Sequence, residues 1–164
     1  LRTDGQPVVE RVGTRYVLDR SLAKLDVAEF EQAARASEAG DDDAAASAAA
    51  LYRGELAEAE DYPWIEPERE RLRRAVLDVL ARTAERRRQA GDLAGAAAAL
   101  DRAVDIDRYS EPLYRDLMAV QRQQGREDAV RRTYARVEGA LAEIGLTPEP
   151  RTSAMLDSGV PGPS

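Results

Sequence analysis

Two glycines set the frame of this chain. Gly91 and Gly125 stand 34 residues apart, and each closes a run of helix-forming residues. When the two are laid over one another, Leu80 falls on Tyr114, Ala84 on Met118, Ala96 on Val130, Leu100 on Tyr134 and Ala103 on Val137. Apolar or small residues at matched positions describe a unit of two helices that cannot bury its own apolar faces and must stack on the next unit. The match is degenerate, since Met118, Val130 and Val137 stand where smaller side chains are usual. A further helix pair is expected around Gly40, with Ala45, Ala49 and Tyr52 in register, separated from the next by a break in the period.

Local signals divide the chain into helices. Asp26 with Glu29 three residues later is a capping-box-like start, and Val27, Phe30 and Ala34 mark one face before Gly40. Asp41, Asp42 and Asp43 open a second helix, where acidic side chains complement the positive end of the helix dipole; it continues to Tyr52 with Gly54 as its stop. Residues 56–63 read as an irregular connection leading to Trp64, the only tryptophan. Trp64 is expected to plug the gap between helix pairs, so that replacing it by alanine costs ~3 kcal/mol or more. The longest helix is expected over 66–90, with Leu72, Val76, Val79, Leu80 and Ala84 along one side. Asp92 caps the next, which turns Leu93, Ala96, Leu100, Ala103 and Val104 inward. Ser110 caps a fifth, tolerating Pro112 in its first turn, with Leu113, Leu117 and Val120 as core positions. A sixth runs from about Glu127 to Glu143, with Val130, Tyr134, Val137 and Leu141 inward, and ends at Gly145. Thr147-Pro148 starts a short last helix through Leu156. Ahead of the helices, residues 8–12 and 15–18 flank Gly13-Thr14 and read as a β-hairpin within 1–20. The Gly- and Pro-rich tail 157–164 is expected to be disordered.

Composition closes off most chemistry. The chain has no Cys and no His, which removes thiol catalysis, disulfides, nearly every zinc site and the commonest general base. The aspartates at 41–43 are the only candidate for a metal and read better as a helix start. No catalytic residue, metal or cofactor is expected, and the chain does not read as an enzyme. A net charge of −7, from 24 basic and 31 acidic side chains, argues against this chain gripping nucleic acid by itself. No apolar run approaches the ~18 residues of a membrane span, and a cytoplasmic protein without membrane contact is expected. The first residue is Leu1 rather than Met, which predicts a piece of a longer protein.

The period of 34 residues is that of tetratricopeptide repeats. The expected fold is therefore all-α: a tetratricopeptide-like helical repeat of about three helix pairs plus a terminal helix, with an N-terminal β-hairpin. By analogy with such repeats, the first helix of each pair lines a concave face. That places Glu85, Arg88, Gln89, Arg115, Arg122 and Gln123 toward a partner-binding groove, whose arginines suit an acidic peptide or carboxylate. A solvated polar face is the plainer alternative for each of them.

Four segments carry a family resemblance. Gly13-Thr14-Arg15-Tyr16-Val17-Leu18-Asp19 resembles the final wing strand of a winged-helix domain, and Leu25-Asp26-Val27-Ala28-Glu29-Phe30-Glu31 the helix that follows it. Leu51-Tyr52-Arg53-Gly54-Glu55-Leu56 with Trp64-Ile65-Glu66-Pro67-Glu68-Arg69 forms the third. Ser110-Glu111-Pro112-Leu113-Tyr114-Arg115 and Leu141-Ala142-Glu143-Ile144-Gly145-Leu146-Thr147-Pro148-Glu149-Pro150 resemble the ends of the repeat region. In this order and spacing, over about residues 8–156, the chain resembles the bacterial transcriptional activator domain, the tetratricopeptide-like half of SARP-type regulators. The family's usual Gly-Gly-Tyr-Arg-Leu is altered here, and no recognition helix is present. The resemblance implies a hairpin over 1–20 left from a preceding winged-helix domain, the activator domain over 21–156, and DNA contact only through a region outside this chain. Implied partners are the protein's own DNA-binding domain, a second copy, or RNA polymerase. The alternative is a protein-binding scaffold in a larger signalling or membrane-anchored protein with no DNA role.

Overall fold

The computed structural model describes residues 2–3, 6–7, 9–12, 15–18, 26–54 and 66–157. Seven helices lie among them: α1 (Asp26–Glu38), α2 (Asp42–Leu51), α3 (Glu66–Gln89), α4 (Leu93–Ile106), α5 (Glu111–Gln123), α6 (Glu127–Glu143) and α7 (Pro150–Asp157). The all-helical organisation is that expected of a helical repeat. Near the N-terminus the backbone of Val9–Val12 pairs antiparallel with Arg15–Leu18. The turn residues Gly13 and Thr14 lie outside the described residues, so a packed hairpin over 1–20 is not established. Trp64, the connection at 56–63 and the tail from 158 onward also lie outside them.

The chain divides into two compact units, Leu1–Tyr52 and Arg53–Ser164. In the first, α1 and α2 pack on each other through Phe30, Ala45 and Ala48, and the Phe30 and Tyr52 rings meet at 6.2 Å. Asp41 caps α2, its carboxylate accepting from Ala44 N at 2.9 Å, while Asp42 and Asp43 occupy the first turn. The acidic run is thus a helix start. The helix stops at Leu51, ahead of Gly54, because Tyr52 is already extended at φ −79°, ψ 90°.

In the second unit each of α3, α4 and α5 packs on the helix that follows it, and α7 packs on both α5 and α6. Gly91 and Gly125 drive the reversals at equivalent places, with φ of 79° and 71° that side chains rarely adopt. The bonding around them is the same. Asp92 N donates to Arg87 O and Arg126 N to Gln121 O, at 2.8 and 3.0 Å, the long return bond of a Schellman ending. The Asp92 carboxylate caps α4 through Gly95 N at 2.8 Å. Ser110 stands at the start of α5 but makes no side-chain cap; the first-turn amides of Leu113 and Tyr114 reach its carbonyl oxygen instead. The last helix begins at Pro150, three residues after Thr147, where the expected start lay.

The repeat positions pair in burial as well as in sequence. Leu80 and Tyr114, Ala84 and Met118, Ala96 and Val130, and Ala103 and Val137 are all buried, each at most 4% exposed. Leu100 and Tyr134 differ: Leu100 is buried, whereas Tyr134 is half-buried with its hydroxyl 3.2 Å from Ser153 Oγ on α7. The larger side chains of the second repeat fill space that alanines leave in the first. Tyr114 is fully buried and donates its hydroxyl to Arg108 O at 3.2 Å, which satisfies its one polar atom.

Candidate functional site: a groove between α3 and α5

α3 and α5 are the first helices of successive pairs, and a groove of about 310 Å³ runs between them. Its apolar lining comes from Ala81, Ala84, Leu100, Ala119 and Val120. Alanines at 81, 84 and 119 keep the helices from filling the space with their own side chains. Glu85, Arg88, Asp116 and Gln123 supply the polar rim.

Most of the rim charge is spent internally. Arg88 donates from Nε and Nη2 to the two Glu85 oxygens, each at 2.9 Å, and Gln89 Nε2 donates to Glu85 Oε1 at 2.7 Å. The bidentate contact from Arg88 holds the Glu85 carboxyl below its ordinary range, with Gln89 acting in the same direction. Asp116 is different. It makes no hydrogen bond or salt bridge with the described residues. Asp116 is exposed as a residue, but the side of its carboxyl that faces the apolar lining loses water, which pushes the group up; Arg115 and Arg88 oppose the rise and the Glu85 charge adds to it. The groove therefore offers one neutralised acid–base pair, one amide and one unpaired acid over an alanine surface.

The six residues expected on a concave face separate into two groups. Glu85, Arg88 and Gln123 line the groove, and Gln89 stands beside it, bonded to Glu85. Arg115 and Arg122 are half-buried and engaged with the last helix. Arg115 Nη1 donates to Glu149 Oε2 at 3.1 Å and to Thr152 Oγ1 at 2.9 Å, with Thr152 fully buried. Arg122 Nη2 donates to Met155 O, and its Nε lies 3.6 Å from Glu127 Oε1. The α7 N-terminus is pinned too, with Glu149 N donating to Glu111 Oε2 at 2.8 Å. Asp116 was not among the expected residues. Its signal was present, because Asp116, Ala119 and Gln123 recur at i, i+3 and i+7 on one stripe of α5.

No group of acidic residues able to hold a metal occurs among the described residues, and no helix among them is long and apolar enough to cross a membrane. No curated protein and no solved structure matches the chain significantly. A family model, the bacterial transcriptional activator domain, matches residues 25–158, which takes in both helix pairs of the repeat, the α1–α2 pair and α7. A match over that share of its length means that the chain belongs to the bacterial transcriptional activator domain family.

Proposed function

We propose that this chain is the protein-interaction and regulatory module of a bacterial transcriptional regulator, and that it meets a protein partner at the α3–α5 groove. The observation that carries the reading is the groove itself: an alanine-lined depression with a polar rim, set between the first helices of two repeats in a member of this family. Grooves of this kind accept a peptide whose apolar side chains enter the lining while its polar groups meet the rim. The rim residues are Glu85, Arg88, Gln89 and Gln123, joined by Asp116. Arg115 and Arg122 act through α7, which they hold in place.

On this reading the module works without catalysis or cofactor, in the cytoplasm. It positions a DNA-binding domain, pairs with a second copy, or contacts RNA polymerase. The activator domain takes in 21–156, and the expected wing of a winged-helix domain at 1–20 lies before it; the expected tail begins after Asp157, which still belongs to α7. DNA is touched only by a region outside this chain, a view that the net charge of −7 supports. The same charge favours one rival, a scaffold in a larger signalling or membrane-anchored protein with no DNA role.

The two readings separate in a binding experiment with this chain and the longer protein side by side. Each is titrated with promoter-like duplex DNA and with the cell's RNA polymerase. The regulator reading expects the longer protein to bind DNA and this chain to bind protein only, with Arg88→Ala and Gln123→Ala weakening that contact. Capture of an envelope or signalling protein, with no DNA binding by either form, leaves the scaffold.

A further inference from the structure

The second helices of the two repeats enclose a separate cleft. It lies between α4 and α6, has a volume of about 420 Å³, and is walled by Ala94, Ala97 and Ala98 of α4 and Ala129 of α6. Around these small residues stand Arg126, Arg132 and Arg136, in a chain whose net charge is −7.

The three arginines differ in how far their charge is used. Arg136 is committed. It donates to Asp101 at 2.8 Å and to Asp105 at 2.5 Å, and its guanidinium lies 5.8 Å from the centre of the buried Tyr114 ring. The Arg126 guanidinium makes one hydrogen bond with the described residues, to the neutral Gln124 Oε1 at 3.3 Å. Arg132 is exposed and makes no hydrogen bond or salt bridge with the described residues. A third donor lines the same space. Thr133 Oγ1 donates to Gln121 Oε1 at 2.9 Å, which leaves the Gln121 amide nitrogen as an unused donor on a residue only 9% exposed. The uncommitted polar groups of the cleft are thus donors, and two of them are cationic.

This pattern is not a by-product of the repeat. In the first repeat the positions of Arg126 and Arg132 are held by Asp92 and Ala98. Asp92 caps α4 there, and the basic side chain beside it, Arg87 at the place of Gln121, is turned onto Gly95 O at 3.3 Å.

We propose that the α4–α6 cleft is a docking site for an acidic peptide segment of a partner protein, with Arg126, Arg132 and the Gln121 amide receiving side-chain carboxylates while small residues of the segment approach the alanines. Guanidinium groups take carboxylates through paired donors, and alanine walls permit close approach of a backbone. A peptide fits better than a nucleic acid. Asp101, Asp105, Glu127 and Asp128 surround the arginines, and a duplex with about one charge per 1.7 Å of axis brings phosphates against them. Two spaced carboxylates avoid that repulsion. The site is distinct from the α3–α5 groove and does not depend on its role.

The test is a fluorescence anisotropy titration of the whole chain with a labelled Glu/Ala peptide, its Gln/Ala counterpart and a short duplex DNA. The Glu/Ala peptide is expected to bind, at least tenfold more tightly than the Gln/Ala peptide, and less well as salt rises. Arg126→Gln/Arg132→Gln is expected to weaken binding at least tenfold. Arg53→Gln/Arg82→Gln, which removes the same charge elsewhere, is expected to leave it within twofold. Amide shifts on titration should centre on Ala97 and Ala129, a readout on the unaltered chain. The proposal is overturned if the wild-type chain ignores the Glu/Ala peptide, if both peptides bind alike, if both double variants behave alike, or if the duplex binds more tightly through the same arginines.

Discussion

Asp116 is the residue whose chemistry separates the α3–α5 groove from an ordinary polar surface. Its carboxylate makes no hydrogen bond or salt bridge with the described residues, and partial desolvation beside the apolar lining raises its titration above that of the unfolded chain. A group raised in this way supports folding fully below its unfolded value, and that support is lost as pH climbs through the folded value. Asp116→Asn is therefore expected to be more stable than the wild type at about pH 7, with the gap closing toward about pH 3. Urea midpoints at both values check this; an unchanged gap would show that the carboxylate is not desolvated. Met118 makes a different point. It is fully buried where the first repeat has Ala84, so the second repeat relies on it for volume. Met118→Ala should cost about 2–5 kcal/mol in urea unfolding, because the surrounding helices cannot close the cavity. The burial of Met118 was readable from the 34-residue superposition. The environment of Asp116 was not, since periodicity places a residue on a face without saying what the neighbouring helix leaves open beside it.

Helix ends are where sequence and structure agree most closely in this chain, and the reason is local. Gly91 and Gly125 hold positive φ, and a Cβ at either position would meet nothing within 4 Å. The demand at both is backbone conformation alone. Gly91→Ala and Gly125→Ala should accordingly cost similar amounts, about 1–2 kcal/mol each, and Asn should cost less because it tolerates the left-handed region. Unequal losses in chemical denaturation would mean that something beyond the turn is at stake at one of them. The seventh helix shows the opposite case. Its last turn and approximate length could be read from the sequence, but its role as the partner of Arg115 and Arg122 could not. Those arginines sit on the polar side of α5, and a helical wheel does not distinguish solvent from an element that returns more than 30 residues later. Arg115→Ala removes charged bonds to Glu149 and to the buried Thr152 hydroxyl, leaving that hydroxyl without its donor. The expected loss is about 1.5–3 kcal/mol, with hydrogen exchange accelerated in α7 well before α3 or α4. Uniform acceleration throughout would remove the view that these arginines serve chiefly as a clamp.

Across the whole molecule, apolar burial is unevenly supplied. The unit Arg53–Ser164 holds the two matched repeats and α7, and its core includes Val76, Leu100, Val104, Leu117 and Val137 together with fully buried Tyr114 and Met118. The described core of Leu1–Tyr52 is Phe30 with two alanines, Ala45 and Ala48, and one helix pair. A stacked repeat gains stability from each neighbour it covers, while a single pair with an alanine core has little area to bury against the entropy of ordering its residues. Chains of about 60 residues bury only about 60% of their unfolded surface, which leaves a shorter piece with a thin margin. The 53–164 piece produced alone is therefore expected to keep a cooperative urea transition and most of its helical circular dichroism at 222 nm. The 1–52 piece alone should show weak helicity and no cooperative transition. If the short piece instead unfolds cooperatively by itself, its stability comes from the residues before α1, and the first helix pair is an independent domain. If the long piece loses its helicity, the repeats depend on the first unit, and binding at either groove has to be measured only on the intact chain.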